Sequence, residues 1–169
     1  KWLHDGLGSN YRMTEMQAAI GREQLKTLDK QIKKRNLIAN LYLNELKDYY
    51  LEYDILKKPD FVDQKNHSKN NKYLHAFYRL NLFINKNKIN QNKLIQKINK
   101  HEINCGVGSC PEIYREKIFK KLKYYPKKRL LNAKLLGETS IMFPINPNKS
   151  LTKIKSEIST IKKIMKNYL

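Results

Sequence analysis

Residues 8–21 read GSNYRMTEMQAAIG and predict a glycine-flanked loop that leads directly into a helix. Thr14 and Gln17 have the spacing of a capping box, in which each side chain satisfies a free backbone N–H near the helix start. Beyond them an apolar stripe at three- and four-residue spacing predicts that the helix continues to about Asp48; it comprises Leu25, Leu28, Ile32, Ala39, Tyr42 and Leu46. Such a helix exceeds the globular average, so we expect it to connect two domains or to line an interface. Gly21 in its interior predicts a close approach by another backbone.

The rest of the chain alternates strand and helix patterns on the scale of one small domain. Residues 73–84 alternate with a period of two, which predicts a long strand whose apolar face carries Leu74, Ala76, Tyr78, Leu80, Leu82 and Ile84. The other predicted elements are a helix over 90–101, a short strand over 103–107, a short helix or helical turn over 110–121, a helix over 130–136 with Gly137 as its C-terminal stop, a strand over 139–143 and a last helix from about Ser150.

This order predicts an α/β fold, with a mostly antiparallel sheet of three or four strands covered by helices. We divide the chain into residues 1–48, the loop and long connecting helix, and residues 49–169, a small C-terminal α/β domain.

The chain carries 35 Lys and Arg against 15 Asp and Glu, a formal net charge of +20. Strong positive charge is typical of nucleic-acid-binding proteins. Here the cations are spread along the chain as single Lys residues or pairs, and Arg, which reads bases, is sparse. Lys is abundant together with Asn, Ile and Tyr, the residues with A/T-rich codons. We therefore interpret the charge as a genomic bias at solvated positions and do not expect a nucleic-acid partner.

Localisation signals and metal motifs are missing from the sequence pattern. No run of 18 apolar residues predicts a membrane span, and residues 1–6 do not resemble a signal peptide. Cys105 and Cys110 match no zinc-binding spacing, and no metal site is predicted. We interpret both cysteines as reduced thiols of a cytoplasmic protein. Spacing alone predicts no catalytic group, because Gly106-Val107-Gly108 lacks the third glycine of a dinucleotide fingerprint and the four histidines are scattered.

Residues 8–21 resemble a hallmark of the DegT/DnrJ/StrS family of sugar aminotransferases, which are pyridoxal-phosphate enzymes of fold type I. The resemblance continues through Arg35, Ile38, Ala39 and Tyr42, through residues 75–79 (HAFYR), and through residues 106–119 (GVGSCPEIYREKIF). It implies the small domain of such an enzyme. In the family the Schiff-base lysine, the aspartate at the pyridine nitrogen and most phosphate contacts precede the matched region, and no lysine here has the family setting. The resemblance therefore implies no catalytic residue in this chain, which we expect to be inactive alone.

The resemblance also implies candidate binding residues. The asparagine that matches Asn10 reaches the cofactor phosphate of the neighbouring subunit in the family, and an amide donor on a loop before a helix suits that contact. Arg12 either clamps an anionic group or pairs with a carboxylate to fix the loop, and we favour the second role. His75 and Tyr78 are expected on opposite faces of one strand, with His75 beside Arg79 as the better substrate-pocket candidate. Many members carry Pro-x-His where this chain has Cys110-Pro111-Glu112-Ile113. Glu112 either contacts a sugar hydroxyl or completes a capping box with Ser109, and we favour capping.

The function that the resemblance implies is transfer of an amino group, with glutamate as the expected donor, to the keto group of a nucleotide-linked sugar by a homodimer. Two alternatives stay open. The family includes sugar dehydratases in which histidine replaces the Schiff-base lysine, and the basic composition alone permits a non-enzymatic nucleic-acid-binding module.

Overall fold

The computed structural model describes residues 11–59, 75–108 and 111–169. The helices in this part of the chain are α1 (Glu15–Glu45), α2 (Lys47–Leu51), α3 (Gln91–Asn99), α4 (Lys117–Lys121), α5 (Leu131–Thr139) and α6 (Leu151–Met165). The strands are β1 (Leu56–Lys57), β2 (Arg79–Ile84) and β3 (Ser140–Pro144), and short 3₁₀ helices cover Ile113–Arg115 and Lys166–Tyr168.

The three strands form one antiparallel sheet in the order β1-β2-β3, which confirms the predicted fold class. Leu56 pairs with Ile84, and Leu82 pairs with Ile141. The predicted strand over 103–107 is wrong. In its place Gly106 makes one isolated antiparallel bridge with Met142, so this segment touches the free edge of β3 at a single position.

Strand β2 is shorter than the alternation over 73–84 predicts. Leu80, Leu82 and Ile84 are buried as expected, but residues 75–78 are not in a strand. Phe77 has φ of 43°, in the left-handed region that L-residues seldom adopt. This turn reverses the expected facing, because Phe77 is buried and Tyr78 is exposed. A pattern of alternating residue types cannot report such a backbone reversal.

Helix α1 begins as predicted and ends slightly earlier. The Thr14 hydroxyl accepts from the Gln17 backbone N–H (3.3 Å), and the Gln17 side chain accepts from the Thr14 N–H (3.0 Å), so the capping box is confirmed. The helix breaks at Leu46, after which α2 follows. Only its C-terminal part is buried, at Ile38, Ala39, Tyr42 and Leu43. Leu25 and Leu28 of the predicted stripe are exposed, so the stripe does not mark one continuous buried face.

The core lies between the C-terminal part of α1, the sheet, α3 and α6. Tyr42 packs against Phe143 of β3 with ring centroids 5.4 Å apart. The last helix matches its predicted period, with Ser150 as N-cap and Ile154, Ile158, Ile161 and Met165 buried. The core includes residues of α1, which lies in the predicted unit 1–48, and residues of the sheet, α3 and α6, which lie in the predicted unit 49–169. It therefore spans both predicted units. The boundary at residue 48 stays a prediction.

Two glycines reverse their predicted roles. Gly137 lies inside α5 rather than at its end, and an added Cβ there would come 2.3 Å from the Pro111 Cγ. Gly21, for which we expected a close backbone neighbour, has no described atom within 4 Å of an added Cβ. The close contact that a glycine permits within a helix is therefore found at Gly137, where the Pro111 side chain packs against α5.

Candidate functional site

The loop before α1 carries the predicted cofactor and anion contacts. Asn10 lies outside the described residues. Arg12 and Tyr11 are exposed at the N-terminal end of α1, where Tyr11 is 92% exposed. The capping box fixes where the loop becomes helix, so Arg12 is held two residues before the N-cap.

Two of the predicted site residues, Arg12 and His75, lie far apart in this chain. His75 is tied to the middle of α1, because Asn36 Nδ2 donates to the His75 carbonyl over 2.8 Å. The helical rise places Asn36 about 30 Å from Glu15 along the axis. Arg12 and His75 therefore belong to different regions. A binding site that combines residues 10–12 with residues of a small domain must therefore take them from two separate regions of the protein.

His75 lies in the turn that precedes β2. Its Nδ1 accepts from the Phe77 backbone N–H over 3.1 Å, and its ring meets the Phe77 ring edge-on with centroids 4.4 Å apart. The prediction that His75 and Tyr78 occupy opposite faces of a strand is wrong, since neither residue is in β2. His75 does not line either of the two clefts described below. Its role as a substrate contact stays a prediction.

Glu112 is the centre of a charged cluster and makes no capping hydrogen bond at the 3₁₀ helix that follows it. Arg129 donates to both carboxylate oxygens, from Nε over 2.8 Å and from Nη2 over 2.7 Å. The Tyr114 hydroxyl donates to Oε1 over 2.7 Å, and Arg115 donates to Oε2 over 3.2 Å. The favoured capping box with Ser109 stays a prediction, and the described contacts of the Glu112 carboxylate join the turn to Arg129. Ser109 lies outside the described residues.

The electrostatics of this cluster follow from its geometry. Hydrogen bonds from Arg129 and then from Tyr114 lower the pKa of Glu112 to about 2. The same carboxylate raises the pKa of Arg129. Both groups are therefore ionised throughout the physiological range, and the bidentate pair fixes the guanidinium plane. Tyr114 extends the network, because its hydroxyl accepts from the Leu130 N–H over 3.1 Å.

A cleft of about 430 Å³ adjoins the Glu112 cluster. Its lining consists of four cationic residues, two tyrosines and a proline, namely Arg115, Lys120, Lys127, Arg129, Tyr114, Tyr125 and Pro126. We call it the basic cleft. None of these seven residues was a sequence-based candidate. The run Tyr124-Tyr125-Pro126-Lys127-Lys128-Arg129 was the signal that could have found them.

A second cleft, of about 610 Å³, lies beside the β1 edge of the sheet. Its walls include Phe83 and Ile84 of β2 and Leu135 and Leu136 of α5, with lysines at its rim. None of the predicted site residues lines it. Polar and cationic side chains complete the lining, so the walls of this cleft combine apolar and polar groups: Lys57, Lys58, Asn85, Lys86, Asn87 and Thr139.

The described part of the chain shows no metal-binding cluster and no reactive thiol. No group of three or more His, Cys, Asp or Glu there could hold a metal ion. Cys105 is a buried free thiol whose pKa burial raises to about 12, so it is not a nucleophile at neutral pH. Cys110 lies outside the described residues. Among the described helices, none is long and apolar enough to span a bilayer.

The chain belongs to the DegT/DnrJ/EryC1/StrS aminotransferase family, whose model matches residues 1–162. This confirms the resemblance drawn from residues 8–21 and the later motifs.

The chain spans less than half the length of the curated relatives that it matches. An uncharacterised protein of Methanocaldococcus jannaschii is 31% identical over 94% of this chain and 38% of its own length. The UDP-4-amino-4,6-dideoxy-N-acetyl-beta-L-altrosamine transaminase of Campylobacter jejuni is 39% identical over 35% of this chain and 20% of its own length.

Solved structures agree with the fold. An aminotransferase from Psychrobacter cryohalolentis superposes with a TM-score of 0.83 at 31% identity, over 99% of this chain and 42% of that chain. The Escherichia coli GDP-4-keto-6-deoxy-D-mannose-3-dehydratase with bound hydrated pyridoxal phosphate has a TM-score of 0.69 at 20% identity, over 95% of this chain and 38% of that chain. The described fold is therefore shared by aminotransferases and by a dehydratase.

The described residues do not by themselves fit pyridoxal phosphate. Such a site needs a lysine for the Schiff base and an acid at the pyridine nitrogen. One carboxylate in the described ranges is buried, that of Glu157, and Lys149 Nζ contacts both of its oxygens, at 2.8 and 3.0 Å. The pair links the residue before the N-cap of α6 to the middle of that helix, so the Glu157 carboxylate is already neutralised by a lysine.

Proposed function

We propose that the full-length protein containing this chain transfers an amino group to the keto group of a nucleotide-linked sugar, using pyridoxal phosphate held largely by residues outside this chain. The observation that carries the proposal is the family match over residues 1–162. The name of the Campylobacter relative, a transaminase of a UDP-linked amino sugar, supports the substrate class. Glutamate is the proposed amino donor and the cytoplasm the proposed location.

This chain supplies the long helix, the small domain and the loop around Asn10. We propose that Asn10 donates to the cofactor phosphate in a neighbouring subunit of a homodimer. The length of α1 supports this, because it separates the loop from the small-domain core by about 30 Å. A loop held so far from its own core is free to complete the site of another subunit. Arg12, beside it, is proposed to fix the loop.

The chain alone should not catalyse the reaction, since it offers no described lysine in a cofactor setting. Chemistry that involves the carbonyl of pyridoxal phosphate belongs to the missing part of the enzyme. The contribution of this chain is to position ligands and to exclude water around them.

The test compares the full-length protein with the 169-residue chain. Each is incubated with pyridoxal phosphate, filtered, and assayed for 2-oxoglutarate released from glutamate in the presence of a UDP- or GDP-linked keto sugar. We expect retained cofactor and turnover for the full-length protein only. Turnover by the 169-residue chain would contradict its proposed supporting role.

The variant Asn10→Ala in the full-length protein should weaken cofactor retention, whereas Asn92→Ala, a matched deletion of an exposed amide on α3, should not. The same assay decides between family activities. Loss of water from the sugar without net amino transfer would favour the dehydratase alternative.

A further inference from the structure

The basic cleft has a local charge that the average composition hides. Residues 111–130 contain eight Lys and Arg against two Glu, a net charge of +6 in 20 residues, whereas the whole chain carries +20 in 169. The charge density here is more than twice the average of the chain. A genomic bias toward lysine explains the average and does not explain this concentration around a cleft.

The cations of the cleft are of two kinds. Arg115 and Arg129 are oriented by Glu112, which neutralises one of their two charges. A guanidinium has five N–H donors, and the bidentate pair uses two of those on Arg129, so three remain for a ligand. Lys120 and Lys127 are exposed and have no ion-pair partner among the described residues. Two ordered guanidiniums and two free ammonium groups therefore face one space.

Aromatic surface lies in the same cleft. Tyr125 is 53% exposed, and Tyr114 is held in place by its hydrogen bonds to Glu112 and Leu130. Pro126 adds a rigid apolar wall. A tyrosine ring next to cations suits a ligand that combines a planar ring with an anionic group, because bases stack on aromatic rings and phosphates pair with Lys and Arg.

The volume is also suitable. About 430 Å³ falls in the range of small-molecule sites, which span about 300–1,000 Å³. The cleft is too small for a folded macromolecule. Because it is open to solvent, it suits the distal end of a long ligand whose reacting end lies elsewhere.

We propose that the basic cleft binds the nucleoside diphosphate portion of the substrate. Lys120, Lys127 and Arg129 contact the diphosphate, and Tyr125 stacks on the base. Glu112 is a positioning residue that orients Arg129. This assignment rests on the proposed function for the identity of the ligand, and on the described residues for its place.

Binding of UDP, uridine and inorganic pyrophosphate to the full-length protein is measured by calorimetry. The double variant Lys120→Ala/Lys127→Ala should weaken UDP and pyrophosphate binding by about tenfold or more, since it removes two charge-assisted contacts. Tyr125→Ala should weaken UDP and uridine by about tenfold and leave pyrophosphate unchanged. The matched control Lys155→Ala/Lys163→Ala, which removes two exposed lysines of α6, should change none of these affinities.

Unchanged UDP affinity in Lys120→Ala/Lys127→Ala, equal weakening in the control, or binding of neither UDP nor GDP by the unmodified protein would each overturn the proposal. So would tight binding of a single-stranded RNA that UDP cannot displace. The two proposals fail separately. UDP binding at the cleft without amino transfer would refute the proposed function alone, and amino transfer with an unchanged KM for the nucleotide sugar in the cleft variants would refute the cleft alone.

Discussion

The two ends of α1 have the same kind of sequence and opposite surroundings. Near its C-terminal end Ile38 is fully buried, whereas Leu25, further toward the N-terminus, is 65% exposed. Leu25 belongs to the predicted apolar stripe, and Ile38 directly precedes Ala39, a member of the same stripe that is also fully buried. The difference teaches that a periodic stripe shows which face of a helix can be buried, while the presence of a neighbouring element decides whether it is.

The exposed end has a consequence for the full-length protein. Met16, Ile20 and Leu25 remain uncovered beside the proposed cofactor loop. Under the proposed function, a neighbouring subunit or a further part of a longer protein is expected to cover them. The buried end instead anchors the helix in the small domain, so α1 joins a stable core to a loop that acts elsewhere.

Truncation at the two ends should give the largest contrast. Ile38→Ala should lower the free energy of unfolding of the 169-residue chain by about 2–5 kcal/mol, because it removes a fully buried side chain. Leu25→Ala should change it by less than about 0.5 kcal/mol. Urea denaturation followed by circular dichroism measures both. Equal losses would mean that the N-terminal part of α1 packs within this chain, contrary to the structure.

Alanine at the two helical glycines should give a smaller contrast of opposite sign. Gly137→Ala should cost about 1–3 kcal/mol, because its Cβ would overlap Pro111. Gly21→Ala should stabilise its helix by about 1 kcal/mol, since the site is open.

Thermal unfolding reports the first change and far-UV circular dichroism the second. Repeating Gly21→Ala in the full-length protein sharpens the comparison. A loss of stability there would reveal the close backbone approach that the sequence predicted and that the described residues do not provide.

Glu112 should give the smallest effect on global stability, because residues 113–121 contain no buried side chain. The pKa of Glu112 is lowered to about 2, so its contribution is complete above the ordinary carboxyl pKa of 4.5 and is lost as pH falls through about 2. Amide exchange at Leu130, corrected for intrinsic rates, should be slow and constant from neutral pH to about pH 4.5 and should accelerate below it.

In Glu112→Gln the same amide should exchange faster at neutral pH and lose most of its pH dependence. The control Glu102→Gln removes an exposed carboxyl that no described contact uses and should behave like the unmodified chain. Identical exchange in Glu112→Gln and the unmodified chain would show that the cluster does not order this segment.

The sequence predicted the elements and their order better than it predicted the candidate site. The start of α1 at Thr14, the antiparallel sheet and the period of α6 are confirmed. The extension of β2 through residues 75–78 and the strand over 103–107 are wrong, because Phe77 has a left-handed φ and Gly106 makes only one bridge. The roles of Asn10, Arg12 and His75 stay predictions.

What the sequence by itself determined is what neighbouring residues can establish: the capping box spans three residues, and the alternation Leu80–Ile84 requires only a strand. The family, too, is legible in contiguous motifs. Only the tertiary structure decided where α1 becomes buried, which neighbour leaves no room for a side chain at Gly137, and which cation pairs with Glu112. Arg129 is 17 residues from Glu112 in sequence and 2.7 Å from it in space. Local hydrogen bonds are fixed by spacing along the chain, whereas such distant contacts depend on the path of the whole chain, which no local pattern encodes.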